Sequence, residues 1–321
     1  MSKSREPKDT ARPSVSLVIP VYENVESLGP TLERVVEVRS TLKAVDLDVC
    51  FVDDGSTDGS WDVLDALHSS NADFVSLVKL SRNFGQINAI LAGLSAVRGD
   101  AVIIMSADLQ DPADQMIPMV EHWLEGSEVV IAHRIDREDD RTSRVFSRVA
   151  YSVARRAHPA MPEGGFDFML VSRRAADLLG SFASRHRFLQ GDVLWLGLPT
   201  TFLPYVRERR PHGKSTWTFR RKFKYFTDLL LDSSFVPIQV MSRLGFLISA
   251  AGLLYAVVIV VARLANQTPS PGWAPIMITL LILGGLIMIM LGIIGEYLWR
   301  IYDDVKARPL YVIQETRKPS S

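Results

Sequence analysis

Short apolar runs alternate with helix-patterned segments along the first part of the chain. The runs are rich in β-branched residues and predict β-strands at residues 15–22, 47–56, 74–81, 101–106 and 128–134. Apolar residues at helical spacing predict helices over residues 24–38, 58–70, 86–96 and 116–124. Strands that alternate with helices indicate βαβ units, so we predict an α/β domain with a mainly parallel sheet.

Polar side chains collect where the predicted strands end. In parallel sheets ligands bind outside the carboxyl ends of the strands, so these side chains are the first candidates for a site. Acids outnumber cations among them. The strand-end residues are Tyr22, Glu23, Asp53, Asp54, Ser81, Arg82, Ser106, Asp108, Gln110, His133 and Arg134.

The last third of the chain has a different pattern. Residues 244–262 and 273–294 are apolar and carry no charged side chain. Each stretch is long enough for a helix to cross about 30 Å of hydrocarbon, so we predict two transmembrane helices. Cations flank the pair on both outer sides, which predicts a hairpin whose two ends are cytoplasmic.

Aromatic and cationic residues interleave in residues 215–235, just before the first apolar stretch. This pattern predicts an amphipathic helix in the membrane interface, and the alternative is a helix that packs within the domain. A second cationic segment, residues 136–157, contains six arginines. It is either a solvated helix or a cradle for an anionic ligand.

Bulk composition excludes several classes of protein. Lys+Arg and Asp+Glu both number 36, so the net charge is zero, which argues against nucleic acid as a partner. The single cysteine, Cys50, allows neither a disulfide framework nor a cysteine zinc site. Residues 1–13 are polar and lack the apolar core of a signal peptide, so we predict a disordered tail on a protein that is not secreted.

The domain boundaries follow from these patterns. We predict a cytoplasmic α/β domain on a plasma (inner) membrane protein with more than one span. The segments are a tail at 1–13, an α/β domain at 14–214, juxtamembrane amphipathic helices at 215–242, a transmembrane hairpin at 243–298 and a cytoplasmic C-terminal segment at 299–321.

The motifs narrow the chemistry. The chain contains no GxGxxG, no Walker lysine loop, no GxSxG and no HExxH. Acids at the ends of the second and fourth strands suit a ligand with hydroxyl groups and a divalent ion that bridges phosphates.

Four of the strand-end motifs together carry a family resemblance. VSLVIPVYEN, VDDGSTDGS, LSRNFGQ and SADLQDP, in this order and spacing, resemble family 2 glycosyltransferases of the GT-A (Rossmann-like) fold. The later segments GGFDFMLVSRRA, RHRFLQGDVLWLG, HGKSTW and GIIGEYLWRIYDDVKARPLYVI resemble polyprenyl-phosphate glycosyltransferases. The relevant members are the two-span bactoprenol glucosyltransferases and dolichol-phosphate mannose synthase. The resemblance covers residues 14–313.

The resemblance implies roles for individual residues. Asp167 matches the acid proposed as catalytic base, and Asp108 and Gln110 match the contacts to Mg²⁺ or Mn²⁺. Asp111 is more easily interpreted as a helix-start residue before Pro112. The residues expected to bind the nucleotide-sugar donor or the acceptor are Pro20, Tyr22, Glu23, Asp53, Asp54, Ser106, Ala107, Arg134, Arg173, Arg185, Arg187 and Lys214.

Two positions depart from the family pattern. The family usually has Asp-Ala-Asp where this chain has Ser106-Ala107-Asp108, so the expected metal site has one carboxylate in place of two. The family lysine after Gly-x-Ser/Thr is absent, and Lys214 stands two residues earlier, next to Gly213. A flexible lysine at that position can still reach a phosphate.

The resemblance implies an inverting hexosyltransferase. It would move a sugar, with UDP-glucose as the expected donor, to undecaprenyl phosphate for cell-envelope glycan modification. UDP-GlcNAc, UDP-galactose and GDP-mannose stay open as donors, and Gly284 and Gly285 would allow close helix packing in a homo-oligomer. The alternative is a catalytically weak or inactive membrane scaffold that binds nucleotide sugars. A processive polysaccharide synthase is disfavoured because the chain has no QxxRW motif.

Overall fold

The computed structural model describes residues 12–134, 160–162, 165–182, 184–185, 187–206, 236–264 and 273–319. The chain divides into two compact units, Met1–Lys222 with Arg308–Ser321 and Phe223–Ala307. The first unit holds the sheet and its helices. The second holds the two long apolar helices.

The first unit is built on an eight-stranded sheet in the order β7-β5-β6-β4-β1-β2-β3-β8. All five predicted strands are confirmed as β1 to β5, and β6, β7 and β8 were not predicted. The strands are β1 (Ser14–Val21), β2 (Asp46–Asp53), β3 (Val75–Leu80), β4 (Ala101–Ile104), β5 (Val129–Arg134), β6 (Phe168–Ser172), β7 (Thr200–Tyr205) and β8 (Ile313–Arg317).

Helices cover the sheet as the α/β pattern predicts. The first helix begins later than its predicted start at residue 24. Those of the first unit are α1 (Leu28–Thr41), α2 (Ser60–Ser70), α3 (Gln86–Ala96), α4 (Met116–Leu124), α5 (Arg173–Ser181) and α6 (Leu189–Trp195). A short 3₁₀ turn at Ala113–Gln115 leads into α4.

The centre of the sheet is parallel and buried on both faces. β1 pairs in parallel with β2 on one side and with β4 on the other. Val15, Leu17, Val18 and Ile19 of β1 all have 0% exposure, which explains why that strand reads as a continuous apolar run. The first unit therefore has the GT-A-like α/β architecture, with a mixed, mainly parallel sheet.

Two strands run antiparallel to their neighbours in the sheet. β6 pairs antiparallel with both β4 and β5, and β8 pairs antiparallel with β3. The amino end of β6 therefore lies at the same edge of the sheet as the carboxyl ends of β4 and β5. That edge is called the active edge below.

The second unit contains α7 (Val236–Leu264) and α8 (Trp273–Val305). Both predicted apolar stretches are helical. Within the described residues, the segment Ile282–Val305, with mean hydropathy 1.9, is the one helix long and apolar enough to cross a membrane. The predicted hairpin of two transmembrane helices is therefore not confirmed, and the predicted interfacial helix at 215–235 lies outside the described residues.

The contact between α3 and the sheet gives a test of core packing. A Cβ added at Gly93 would lie 2.3 Å from Val18 Cγ1 and 3.1 Å from Val52 Cγ2, and both valines are fully buried. We expect Gly93→Ala to lower the free energy of unfolding by about 1–3 kcal/mol through overpacking. The measurement is the thermal midpoint of the purified chain in detergent.

Gly29→Ala in α1 is the matched control, because no atom lies within 4 Å of the added Cβ. Alanine is also the better helix former, so the control should hold or raise the midpoint. Equal midpoints for the two variants would contradict the close packing of α3 on β1 and β2.

Candidate active site

The loops that follow β1 and β2 are tied together at the active edge. Glu23 N donates to Ser56 Oγ at 3.1 Å, and Val25 N donates to Asp58 Oδ2 at 3.2 Å. Glu23 has a φ of 54°, an uncommon conformation for a residue with a side chain. Predicted residues Pro20, Tyr22 and Glu23 thus lie beside the end of β2, because Val21 is in register with Asp53.

The acid pair at the end of β2 is buried, with 0% exposure for Asp53 and 2% for Asp54. Asp53 Oδ1 accepts a hydrogen bond from Ser56 N at 3.1 Å, while Asp53 Oδ2 has no hydrogen-bond partner in the described part of the chain. Asp54 accepts from Phe84 N at 2.7 Å and from Gly85 N at 2.8 Å. Asp54 therefore braces the loop at 81–85, and Asp53 keeps an oxygen for another partner.

The loop after β2 and the loop at 81–85 approach each other too closely to leave room for a side chain at Gly55. A Cβ there would lie 2.5 Å from the backbone carbonyl carbon of Arg82, and the φ of Gly55 is +70°.

Burial raises the pKa of Asp54 to about 6, although the Phe84 and Gly85 amides favour its ionised form.

The loop after β4 carries the predicted metal ligands. Ser106, Asp108 and Gln110 are half-buried at the active edge, and Gln110 N donates to Asp108 Oδ1 at 3.2 Å. Leu109 has a φ of 59°, which turns the chain sharply between those two residues. Ala107, a predicted substrate contact, is buried, and its carbonyl accepts from Ser27 Oγ at 2.6 Å, which anchors the loop.

The donor set suits a divalent ion only in part. Across the described ranges, no three His, Cys, Asp or Glu side chains are grouped to hold a metal. Asp108 offers one half-buried carboxylate, and Ser106 adds no charge. Mg²⁺ takes one or two protein carboxylates and completes its shell with water and substrate phosphates, so the residues present fit an ion that arrives with a diphosphate.

A polar network joins the neighbouring strands at the same edge. Tyr205 OH donates to Asp111 Oδ1 at 2.6 Å, and Arg134 Nε donates to Tyr205 OH at 3.3 Å. Arg134 Nη2 lies 3.3 Å from Asp167 Oδ2, and Gln190 Nε2 donates to Asp167 Oδ1 at 2.8 Å. The side chain of Asp167 is 44% exposed, against 13% for Arg134, so the carboxylate is the accessible end of the network.

The network corrects the interpretation of Asp111 as a helix-start residue. Asp111 is 4% exposed, and burial raises its pKa. Its bond to Tyr205 connects the loop after β4 to the end of β7. Tyr205 and Gln190 were missed because neither β7 nor α6 was predicted. Had β7 been predicted, the position of Tyr205 at the end of that strand would have marked it as a candidate.

Arg173 was expected to bind substrate, and the structure does not bring it to the active edge. Asp167 precedes β6 and Arg173 follows it, so the strand separates them by about 3.3 Å per residue along its length. Arg173 begins α5 at the opposite edge, where its Nε donates to Gly99 O at 3.1 Å. Its role there is to link α5 to the segment between α3 and β4.

The two arginines expected near the acceptor phosphate have protein partners. Arg187 is buried, with its Nε 2.8 Å from Asp192 Oδ2 and its Nη1 donating to Leu179 O at 2.9 Å. Arg185 donates from Nη1 to the carbonyl of Arg308. Lys214 and the arginines of 136–157 lie outside the described residues.

The sequence matches the profile of glycosyl transferase family 2 over residues 16–188, more than half of the chain. The chain belongs to glycosyl transferase family 2. The active edge described above falls largely inside the matched range. The protein is therefore a family 2 glycosyltransferase, as the sequence motifs predicted.

Similar proteins match the chain over most of its length, beyond the range of the family profile. An uncharacterized glycosyltransferase of Synechocystis is 34% identical over 94% of this chain and 95% of its own. The bactoprenol glucosyl transferase of Shigella phage SfII is 31% identical over 95% and 98%. Among solved structures, a glucosyl-3-phosphoglycerate synthase of Mycobacterium tuberculosis is 18% identical, with a TM-score of 0.47 over 63% of this chain and 73% of that one.

The buried Asp54 predicts a pH dependence of stability. Its pKa is raised from the ordinary 3.8 to about 6, so the folded chain binds the proton more tightly than the unfolded chain. This contribution to stability is complete below pH 3.8 and is lost as the pH rises through about 6. The measurement is the difference between the thermal midpoints of wild type and Asp54→Asn at each pH. We expect this difference to decrease as the pH rises from 4 to 7.

The same comparison contains its own control. Asp48 and Asp111, whose pKa values are also raised by burial, are present in both proteins and cancel in the difference. A difference that stays flat from pH 4 to pH 7 would show that Asp54 does not titrate in this range.

Proposed function

We propose that this glycosyltransferase moves a hexose from a nucleotide diphosphate sugar to undecaprenyl phosphate, with inversion at the anomeric carbon. UDP-glucose is the expected donor, and the lipid-linked product would serve cell-envelope glycan modification. The name of the phage relative, bactoprenol glucosyl transferase, supports a polyprenyl phosphate acceptor and a glucosyl donor. The apolar helix Ile282–Val305 supports a site of action at a membrane.

The arrangement of Asp108, Arg134 and Asp167 on adjacent strand ends carries the proposal. β4, β6 and β5 are neighbours in the sheet, so a carboxylate for a metal lies near a cation and a second carboxylate. Burial is the main cause of the raised pKa of Asp111, and the charges of Arg134, Asp108 and Asp167 also act on it, which supports the proximity of these three residues to Asp111. A sugar diphosphate needs such a set, because negative charge grows on the leaving group as the glycosidic bond breaks.

Donor binding is assigned to the β1 and β2 ends. Asp53, whose Oδ2 has no partner within the described ranges, would accept a hydrogen bond from the nucleoside. Asp54 would act through the loop at 81–85, which it holds by two backbone amides. Tyr22 and Glu23 would border the nucleoside on the β1 side.

Mg²⁺ or Mn²⁺ would be held by Asp108, with Gln110 as a further contact. When bound, such an ion neutralises charge that develops on the diphosphate. Ser106 can donate a hydrogen bond to a ribose oxygen or a metal-bound water but supplies no charge. We therefore expect an ion that binds weakly without the donor and tightly with it.

Asp167 is better suited to orientation than to proton abstraction. A phosphate monoester has a second pKa near 6, so the acceptor is already mostly a dianion at pH 7. Both Asp167 oxygens already have partners, Arg134 and Gln190. We infer that Asp167 holds Arg134 in place and orients the sugar or the acceptor, while Arg134 offsets the charge of the incoming phosphate.

The membrane arrangement is part of the proposal. Helices α7 and α8 would form a hairpin within residues 243–298, with amphipathic helices at 215–242 in the interface. The domain at 14–214 and the segment at 299–321 would then be cytoplasmic. Such an anchor would hold the enzyme at the bilayer that contains the acceptor and would raise the effective concentration of the acceptor.

A nucleotide-sugar-binding scaffold is the second candidate. Ser106 replaces a usual carboxylate, and the described residues contain no group of three acidic, His or Cys metal ligands. A site with a single carboxylate could bind a donor without turning it over.

A transfer assay separates the two candidates. Purified protein, undecaprenyl phosphate and each of UDP-glucose, UDP-GlcNAc, UDP-galactose and GDP-mannose are incubated with Mg²⁺ or Mn²⁺, and the lipid is analysed by mass spectrometry. We expect a hexosyl lipid from UDP-glucose. Asp108→Ala should reduce the rate by at least about 10²-fold, because it removes a group that stabilises the leaving diphosphate.

Glu33→Ala, on the exposed side of α1, is the matched loss of a carboxylate and should leave the rate unchanged. No product from any donor, with donor binding intact, would favour the scaffold. Product formation that Asp108→Ala leaves unchanged would remove Asp108 from the metal site.

The role of Asp167 is tested by Asp167→Asn. General base catalysis contributes about 10²–10⁴-fold, so an essential base would cost at least that much. We expect a reduction within about tenfold, because the amide can still accept a hydrogen bond from Arg134. A reduction of about 10²-fold or more at saturating substrates would instead identify Asp167 as the base.

A further inference from the structure

The C-terminal strand β8 is the edge strand of the sheet next to β3, the strand that leads into the loop at 81–85. β8 pairs antiparallel with β3, with Leu77 opposite Arg317 and Leu80 opposite Ile313. The pairing continues past the strand, because Ser81 N donates to Val312 O at 2.9 Å. The first residue of the loop at 81–85 is thus attached to the C-terminal segment.

Contacts on both sides of β8 hold the same segment to two helices. Arg317 Nε lies 3.4 Å from Asp65 Oδ1 on α2, and Tyr311 OH donates to Ser95 Oγ on α3 at 2.9 Å. Residues 311–317 therefore connect α2, β3 and α3, and the last two of these elements flank the loop at 81–85.

Core packing does not account for the strand. Every residue of β8 is exposed or half-buried, and its sequence IQETR is mostly polar. Its contribution to the unit is chiefly the backbone ladder on β3 and the two side-chain contacts. Removing it would leave β3 as an edge strand with an unpaired Ser81 amide, while the buried core of the sheet would remain intact.

The loop held in this way supports the donor acid pair. Phe84 and Gly85 donate their amides to Asp54, and the backbone of Arg82 and Asn83 lies against Gly55. A continuous set of contacts therefore leads from Val312 through Ser81 and the loop to the end of β2. Displacement of Ser81 would move the groups that hold Asp54.

We propose that residues 311–317 are a positioning element of the donor site. They fix the loop at 81–85 so that Asp54, Gly55 and the neighbouring Asp53 present a preformed surface to the nucleoside. This inference rests on the proposed function only in taking a nucleoside diphosphate as the ligand of that surface. Preorganisation of this kind lowers the ordering cost of binding, so its loss should weaken nucleotide affinity.

Two truncated chains test the proposal. One ends after Leu310 and lacks the positioning element, and the control ends after Arg317 and keeps it. The Kd for UDP with Mn²⁺ is measured by calorimetry, together with the KM for donor and for undecaprenyl phosphate. We expect the first chain to bind UDP roughly tenfold more weakly, the value of about one net hydrogen bond.

The specificity of the effect separates positioning from general damage. The KM for undecaprenyl phosphate should stay within about twofold in the first chain, and the control should match wild type. A peptide with the sequence of residues 311–321, added in excess, should restore UDP affinity by pairing with the vacant edge of β3. An unchanged Kd in a folded chain ending after Leu310 would overturn the proposal.

Hydrogen exchange on the full chain covers the case in which the truncated protein does not fold. UDP with Mn²⁺ should slow exchange at residues 81–85 and, through the shared ladder, at 313–317. Slowed exchange at 81–85 without any change at 313–317 would also overturn the proposal. Failure of the intact chain to bind any nucleoside diphosphate would instead contradict the proposed donor and thus the proposed function.

Discussion

The direction of β6 within the sheet determines which side chains meet at the active edge. β6 runs antiparallel between β4 and β5, so its amino end lies beside their carboxyl ends. This places Asp167 next to Arg134 and carries Arg173 to the opposite edge. A parallel β6 would exchange these two positions and leave Arg134 without its carboxylate, so the chemistry of the site depends on this one reversal.

Burial and charge then set the character of each acid. Asp53 and Asp111 each keep one oxygen without a hydrogen-bond partner among the described residues, and burial raises the pKa of Asp54 and Asp111. Asp108 and Asp167 are more accessible. Asp54 and Asp111 hold neighbouring loops in place through hydrogen bonds, whereas Asp53, Asp108 and Asp167 are the acids that we propose contact ligands. The same residue type thus performs two tasks at one edge, separated by environment.

Strand-end logic could predict the donor half of the site from the sequence. Asp53, Asp54 and Asp108 follow strands that read as continuous apolar runs, and the carboxyl ends of parallel strands share one edge. Arg173 was expected near Asp167 because both belong to the motif GGFDFMLVSRRA. The motif alone does not show that strand β6 separates the two residues. Tyr205 and β8 were missed because β7 is half-buried and contains a proline, and β8 is mostly exposed and polar, so neither has the long apolar run that marks a buried strand.

A structure of the full chain in lipid nanodiscs with UDP-glucose and Mn²⁺ tests the central claim most directly. That claim is that the active edge binds the donor, with the nucleoside at the ends of β1 and β2 and the diphosphate beside Asp108. The account predicts a metal bound to Asp108 and to the diphosphate, with Arg134 and Asp167 on the side of the sugar. A nucleotide bound at the opposite edge, near Arg173, or a metal without contact to Asp108, would contradict it.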